Sequence, residues 1–226
     1  MQHSATFPSD VATAAQSSSA VLRRSHRERF VEHDFALSKR LAYCGQPVGL
    51  SKPFLLLRVL CRILEYSGHG VPWFLIAAIK VTTAIPAESV QFWTNLFYAL
   101  IVDILVVATT KAVFRRGRPN YATQLSHAKI SPDQFSFPSG HASRSVMVAV
   151  LFCSRWIYDP VDKCLITFWA LSVCVSRAVL GRHYVSDVFA GALLGIVIAA
   201  LFETFLWLKL DTCLWLLWPV HEYLFI

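Results

Sequence analysis

Long apolar runs constrain the fold of this chain more than any other feature of its sequence. A membrane-spanning helix needs roughly 17 to 20 mostly apolar residues, and three runs reach that length: 92–110, 164–180 and 188–208. Two more runs, 71–86 and 142–158, are borderline because Lys80 and Arg155 interrupt them. Only 15% of the residues are charged, whereas soluble domains carry about 25%. The sequence therefore predicts an all-α, polytopic membrane protein and argues against a soluble globular enzyme.

The first 52 residues differ in composition from the rest of the chain. Residues 1 to about 22 are rich in Ser, Ala and Thr and lack the apolar core of a signal peptide, which predicts a disordered tail. The charged stretch 23–40 follows and indicates a solvated amphipathic helix beside the membrane. We therefore divide the chain into a cytosolic N-terminal tail, 1–52, and a membrane-embedded domain, 53–226.

Two apolar segments are harder to place. In the run 54–65, Arg58, Arg62 and Glu65 are spaced so that they share one helical face. Such a stripe fits either an amphipathic helix at the interface or a spanning helix whose charged face packs inside a bundle. The C-terminal segment 210–226 is apolar and rich in aromatic residues, which predicts a position at the membrane interface.

Counting the spans brings three polar segments to one membrane face. The run 92–110 ends on this face, and the run 142–158 leaves it. The short link 159–163 turns the chain, so 164–180 returns to the face and 188–208 leaves it again. The segments predicted to meet are 111–119, 135–143 and 176–187. Since they carry histidines and many basic residues, the sequence predicts an anion-binding, histidine-containing site at the membrane interface.

Two of these segments supply cations and a nucleophile. Lys111 and Arg118 are seven residues apart, two turns on one helical face, and a guanidinium beside an ammonium suits a phosphate with two charges. Arg177 adds a third cation. If the third segment is helical, Asp187 lies beside His183 and can hold one ring nitrogen so that the other attacks.

The remaining segment supplies a helix start. Ser139 and Gly140 directly precede an apolar run, and the free N–H groups at a helix N-terminus can hold an anion. His141 then lies within reach of that anion and can act as an acid. Two histidines, a carboxylate and several cations, with no plausible metal cage, fit phosphoryl transfer through a covalent phosphohistidine.

The same residues resemble the three-part signature of the type 2 phosphatidic acid phosphatase superfamily, which comprises integral membrane lipid phosphatases. The signature reads K-x6-R-P, P-S-G-H and S-R-x5-H-x3-D, and every fixed position matches with both internal spacings intact. The matching residues are Lys111, Arg118, Pro119, Pro138, Ser139, Gly140, His141, Ser176, Arg177, His183 and Asp187.

The resemblance implies a six-helix transmembrane bundle with its active site at one membrane interface. It also implies a metal-independent phosphatase with no cofactor. In this family His183 would be the nucleophile, Asp187 its orienting partner and His141 the acid for the leaving group. The residues implied to bind phosphate are Lys111, Arg118, Ser139, Gly140 and Arg177.

The segment LEYSGHGVPW, 64–73, is similar to the subgroup that acts on polyisoprenoid diphosphates such as farnesyl, geranylgeranyl and presqualene diphosphate. The alternatives are a broad-specificity phosphatase for phosphatidate, lysophosphatidate and sphingoid phosphates, or an inactive scaffold relative. His69 of this segment is predicted as a structural turn residue, with substrate contact as the alternative. Asp103 is predicted to support Lys111.

The resemblance also guides expectations about partners and location. Expected partners are a lipid phosphate and membrane lipids, not nucleic acid, and homo-oligomer formation is left open. The endoplasmic reticulum and nuclear envelope are the expected membranes. With six spans, the basic N-terminus and the site lie on opposite sides, which favours a lumenal site. If 54–65 lies on the surface, both share a side.

Overall fold

The computed structural model describes residues 26–45, 52–83, 87–121 and 134–224, and the predicted tail, 1 to about 22, lies outside them. The described residues form helices and connecting turns, with a single isolated bridge between Gly117 and Phe135. In chain order the helices are α1 (His26–Leu41), α2 (Lys52–Ser67), α3 (Gly70–Thr83), α4 (Ala87–Phe114), α5 (Gly140–Arg155), α6 (Pro160–Val179), α7 (Val185–Leu201) and α8 (Leu210–Leu224). A short π-helical turn, Phe202–Leu206, extends α7. The all-helical fold expectation is thus confirmed for these residues.

Local sequence explains where the helices of the site begin and end. Asp159 caps α6, because its carboxylate accepts hydrogen bonds from Val161 N and Asp162 N at 2.8 and 3.3 Å. Gly181, with φ 66°, ends the turn after α6 in a conformation that glycine adopts without strain. These signals set the length of the link between α6 and α7, which carries His183.

Helices α4 to α7 alternate between two ends of the bundle. At one end, which we call the distal end, Asn95 Nδ2 donates to Leu208 O at 3.1 Å and Phe92 stacks on Trp156 at 4.8 Å between ring centroids. The opposite end, which we call the site end, holds the end of α4 and the α6–α7 link. The predicted convergence of three polar segments at one end therefore occurs in the structure.

Both ends of α2 contact residues near the site end, and α3 runs from the break at Gly68 and His69 towards the distal end. Near the site end, Cys44 contacts both Val179, at the end of α6, and Phe54, near the start of α2. The end of α2 reaches the middle of α6, where Trp169 Nε1 donates to Ser67 Oγ at 3.0 Å. α3 continues from there to the distal end, where α4 begins. The sequence left open whether 54–65 spans the membrane, and these contacts do not confirm it as a separate span.

Helix α1 lies at the site end. Its Asp34 accepts a hydrogen bond from Arg116, directly after α4, and another from Ser186 N at the start of α7. These contacts agree with the alternative in which the N-terminal segment and the site share a side, and the six-span expectation is not confirmed. Of the two helices α2 and α3, only α3 leads from the site end to the distal end before α4 begins.

Among the described residues, two helices are long and apolar enough to cross a membrane, Glu88–Phe114 and Val185–Leu206. They correspond to the predicted runs 92–110 and 188–208. α3 is a shorter apolar helix, and the predicted six-helix count is not confirmed. Because many large apolar side chains remain exposed around the outside of the bundle, the described part has the surface of a membrane protein.

Two glycines let α7 approach α5 closely. A Cβ at Gly191 would lie 2.4 Å from Ser139 O, and one at Gly195 would lie 2.2 Å from Ser143 O. Backbones can approach this closely only where the side chain is missing, as in small-residue contacts of membrane helices. The contact fixes the start of α5 against the first turns of α7, where Asp187 lies.

Candidate active site

The N-terminus of α5 points into the site end. Ser139 is the N-cap residue, its side chain makes no capping hydrogen bond, and its backbone N–H donates to Asp187 O at 3.0 Å. The first N–H groups of α5 are therefore available to an anion. Val107 of α4 lies against Gly140, at 3.3 Å from a Cβ built there, so Lys111, one turn later, approaches the same helix start.

Arg118 does not share a helical face with Lys111, contrary to the sequence-based expectation. α4 ends at Phe114, and Arg115 adopts φ 47°, which turns the chain out of the helix. Arg118 follows in an extended segment, where one of its guanidinium nitrogens donates to Arg182 O at 3.4 Å. The basic residues of the segment 111–118 therefore continue beyond the end of α4, and Arg118 reaches the α6–α7 link.

His183 is held by a backbone carbonyl. The side chain is 1% exposed, and its Nδ1 lies 2.8 Å from Ser136 O. Because a carbonyl only accepts, Nδ1 carries the hydrogen and Nε2 keeps its lone pair. Burial lowers the pKa of His183 to about 4, and nearby Arg177 and Arg118 act in the same direction while Asp187 opposes them. His183 is therefore neutral at pH 7.

Asp187 approaches His183, although not through the predicted helical spacing. His183 lies in the link between α6 and α7, and Asp187 lies in the first turn of α7. Its Oδ2 is 3.8 Å from His183 Nδ1 and accepts a hydrogen bond from Tyr184 N at 2.9 Å. Asp187 thus closes the turn that carries His183, and its other oxygen pairs with Arg116 at 2.6 Å.

Arg177 is buried at the end of α6 and faces Glu65 of α2. The distance from Arg177 Nη1 to Glu65 Oε1 is 3.0 Å, and Arg182 Nε lies 3.6 Å from the same oxygen. Arg62, on the same helix as Glu65, is 3.9 Å from its other oxygen. Glu65 therefore lies at the guanidinium groups that an incoming anion would use.

His141 lies one residue into α5, near Arg177 and His183. His69, in the break between α2 and α3, packs against it with 5.7 Å between the ring centroids. His69 was predicted as a turn residue with substrate contact as the alternative; it lies in the turn and also beside the site. Its Nδ1 accepts from Val71 N at 3.2 Å, which leaves Nε2 as the donor of the neutral ring.

Several buried polar atoms of this cluster have no hydrogen-bond partner. They are Ser139 Oγ, His141 Nε2 and Arg177 Nε. Buried polar groups without partners are rare and indicate a ligand site. Arg177 Nε can only donate, and the Ser139 hydroxyl and the His141 ring can each donate, so the group that fits here is an anion with several acceptor oxygens.

Sequence reasoning missed or misplaced several residues around this cluster. Asp103 pairs with Arg144 at 3.0 Å and accepts from Ser143 Oγ at 2.6 Å, whereas it was predicted to support Lys111. Arg116 lies within the predicted segment 111–119 but was given no role, and nothing in the sequence linked Glu65 or Asp34 to the site. Contacts between segments so distant along the chain leave no local pattern.

Among residues 26–45, 52–83, 87–121 and 134–224, no three His, Cys, Asp or Glu side chains are grouped to hold a metal ion. The side chains that converge include the cations Arg118, Arg177 and Arg182, which favour an anion. A helical membrane bundle with an anion site built from three distant segments and two histidines defines a class of membrane-embedded phosphoryl-transfer enzymes.

Comparison with known families agrees with this class. The model of the PAP2 superfamily matches residues 92–211, and the chain belongs to this superfamily. The chain is a phosphatase, as are the relatives to which it is similar.

Two relatives illustrate the range of the similarity. The chain is 37% identical over 172 residues to probable lipid phosphate phosphatase beta of Arabidopsis thaliana, covering 65% of this chain and 79% of that protein. It is 31% identical over 140 residues to decaprenylphosphoryl-5-phosphoribose phosphatase of Mycobacterium tuberculosis, covering 62% and 75%.

Two solved structures of other proteins support the fold. The first transmembrane PAP2 type phosphatidylglycerolphosphate phosphatase from Bacillus subtilis has a TM-score of 0.59 at 22% identity, covering 83% of this chain and 89% of that one. LpxE of Aquifex aeolicus has a TM-score of 0.57 at 21% identity, covering 75% and 94%. At these identities the likeness concerns the fold alone.

Proposed function

We propose that the protein removes phosphate from polyisoprenoid diphosphates without a metal ion, through a phosphohistidine at His183. The observation that carries the proposal is the buried His183, whose Nδ1 is fixed by Ser136 O at 2.8 Å so that Nε2 keeps its lone pair. This nucleophile lies near Arg177 and Arg118, and the unpartnered atoms of Ser139 and Arg177 suit phosphate oxygens.

The proposed reaction has two steps. Nε2 of His183 attacks phosphorus, the bond to the leaving oxygen breaks, and His141 gives that oxygen a proton. Water then attacks the phosphohistidine, His141 takes the proton from the water, and inorganic phosphate leaves. Charge on the transferred oxygens is stabilised by Arg177, Arg118 and the N-terminus of α5, with Lys111 adding to the same field.

The substrate class rests on two arguments. The segment 64–73, similar to the polyisoprenoid subgroup, forms the break between α2 and α3 and brings His69 against His141. One relative, the decaprenylphosphoryl-5-phosphoribose phosphatase of Mycobacterium tuberculosis, acts by its name on a decaprenylphosphoryl compound. Other relatives act on different lipids, such as sphingosine-1-phosphate phosphatase 1 of Mus musculus, so the alternative is broad specificity for lipid monophosphates.

We propose the endoplasmic reticulum and nuclear envelope as the location of the protein.

The test is phosphate release by the purified protein in detergent with a metal chelator present. The wild type is expected to be active, and His183→Ala is expected to lose at least about a hundredfold in kcat, because its nucleophile is gone. The exposed His33→Ala, on α1, serves as a control for loss of a histidine. Equal activity of His183→Ala and wild type, or a strict need for magnesium, contradicts the mechanism.

A substrate panel separates the two specificity alternatives. Farnesyl and presqualene diphosphates are expected to give a higher kcat/KM than phosphatidate or sphingosine 1-phosphate. A higher kcat/KM for the monophosphates would leave the phosphatase mechanism intact and replace the polyisoprenoid proposal with broad specificity.

A further inference from the structure

Helix α1 precedes the segment matched to the family, yet one of its carboxylates is buried at the site end. Asp34 is 7% exposed, while its neighbours Glu32 and His33 are exposed. An acidic side chain is rarely buried unless it is paired, so the partners of Asp34 define its role.

Those partners are the residues that hold Asp187. Asp34 Oδ2 accepts from Arg116 Nη2 at 2.7 Å, and Arg116 Nη1 donates to Asp187 Oδ1 at 2.6 Å. Asp34 Oδ1 accepts from Ser186 N at 3.1 Å, next to Asp187 in the chain. One carboxylate of α1 therefore fixes both the guanidinium that pairs with Asp187 and the backbone that carries it.

Both terminal nitrogens and one face of the Arg116 guanidinium have partners. Its two terminal nitrogens serve two carboxylates, and its guanidinium carbon lies 4.0 Å from the centre of the Tyr184 ring. A guanidinium held in this way acts as a bridge between two elements. This distinguishes Arg116 from Arg177, whose Nε has no hydrogen-bond partner.

A second residue of α1 caps α7. Ser38 Oγ accepts from Val185 N at 2.9 Å, which satisfies a free N–H at the helix start.

Although burial acts to raise the pKa of Asp34, hydrogen bonds from Arg116 and Ser186 lower it, so the carboxylate is charged at neutral pH. Phe35 packs edge-on against Tyr121 at 5.5 Å between ring centroids, which adds a further contact of α1 at the site end.

We propose that Asp34 of α1 is a positioning residue of the phosphatase, acting through Arg116 and Ser186 to hold Asp187 in place beside His183. The helix thereby completes the active site from outside the signature segments. The proposal rests on the proposed role of His183.

The test compares Asp34→Asn with Glu32→Gln, which removes the same charge from an exposed position of the same helix. Asp34→Asn keeps an acceptor for Ser186 N and removes the charge that holds Arg116. We expect kcat to fall about tenfold or more with KM within about twofold, since small misplacement of a reacting group is costly. Glu32→Gln is expected to keep the wild-type kcat.

A double-mutant cycle with Arg116→Gln tests the route of the effect. If Asp34 acts through Arg116, the double variant is expected to be little slower than Arg116→Gln alone, because the shared interaction is lost once. Multiplicative losses overturn the proposal, as does a kcat for Asp34→Asn equal to that of Glu32→Gln.

Two further measurements cover the case in which Asp34→Asn does not fold and separate this inference from the proposed function. If Asp34→Asn does not fold, Ser38→Ala decides in its place: a lowered kcat with unchanged KM supports the role of α1, and an unchanged kcat overturns it. His183→Ala is measured in the same series. Full activity of His183→Ala defeats the proposed function, whereas an inactive His183→Ala beside an unaffected Asp34→Asn defeats only this inference.

Discussion

In the proposed mechanism, a backbone carbonyl determines which nitrogen of His183 attacks the substrate. Ser136 O holds Nδ1 at 2.8 Å, whereas Asp187 Oδ2 is 3.8 Å away. The carboxylate therefore acts mainly by shaping the turn and by its charge, which raises the pKa of His183 against the larger effect of burial.

This balance predicts the pH dependence of the enzyme. Protonated His183 has no lone pair for attack, so kcat/KM is expected to fall with an acid limb near the pKa of about 4. Asp187→Asn removes a charge that raises this pKa, so its acid limb is expected at still lower pH, with kcat reduced about a hundredfold. Titration of the substrate is common to both enzymes and cancels in the comparison. An acid limb that moves upward in Asp187→Asn contradicts the account.

Glu65 predicts a second change in kinetics. Its carboxylate lies 3.0 Å from Arg177, so in the proposed mechanism it competes with substrate phosphate for the same guanidinium. Glu65→Gln is therefore expected to lower KM and the inhibition constant of inorganic phosphate, each by about three- to tenfold, because a charge close to the anion is removed. Glu88→Gln, exposed at the start of α4, is the control. A raised KM in Glu65→Gln would show that this carboxylate is needed for binding.

The identities of the signature residues were readable from the sequence, while the residues that hold them were not. The start of α5 and the convergence of its segment with the α6–α7 link follow from helix signals and span counting. Asp34, Arg116 and Glu65 act through contacts between distant segments, which no local spacing encodes. The end of α4 was also missed, because Arg118 leaves the helix at a residue with φ 47°.

At the scale of the helices, the contact of α5 with α7 sets the geometry of the site. Ser139 N donates to Asp187 O at 3.0 Å, and this bond needs the close approach that Gly191 permits. The sequence predicted both helices, but the contact depends on the rotation of each helix, which hydropathy leaves open.

Gly191→Ala tests this contact. The added methyl group would lie 2.4 Å from Ser139 O, so we expect a loss of about 1–3 kcal/mol in stability. We also expect kcat to fall while binding of inorganic phosphate weakens, since the start of α5 is displaced from α7. Thermal unfolding and steady-state kinetics measure the two effects. Ala200→Val, on the exposed face of α7, should change neither, and a fully active Gly191→Ala would contradict the account.

At the scale of the whole molecule, the path of α2 and α3 bears on the topology. It leaves α1 at the site end, where Asp34 contacts Arg116 and Ser186. The sequence could not settle this, because the charged stripe of 54–65 fits both a surface helix and a packed helix.

Protease protection in sealed vesicles checks the topology. A cleavage site before α1 and another within the 119–138 segment are expected to be cut together or protected together. A third site in the link before Pro160, at the distal end, is expected to behave oppositely. If the site before α1 instead behaves like the distal link, the arrangement of α1 at the site end is wrong.

The central claim is that phosphate passes through His183, and trapping the phosphoenzyme tests it most directly. Enzyme mixed with substrate labelled in the transferred phosphate is quenched in alkali, where phosphohistidine survives, and the labelled peptide is mapped. The account predicts an acid-labile, alkali-stable label on the peptide that contains His183, absent from His183→Ala and unaffected by chelator. An alkali-labile label on another residue, or an equal label in His183→Ala, would contradict it.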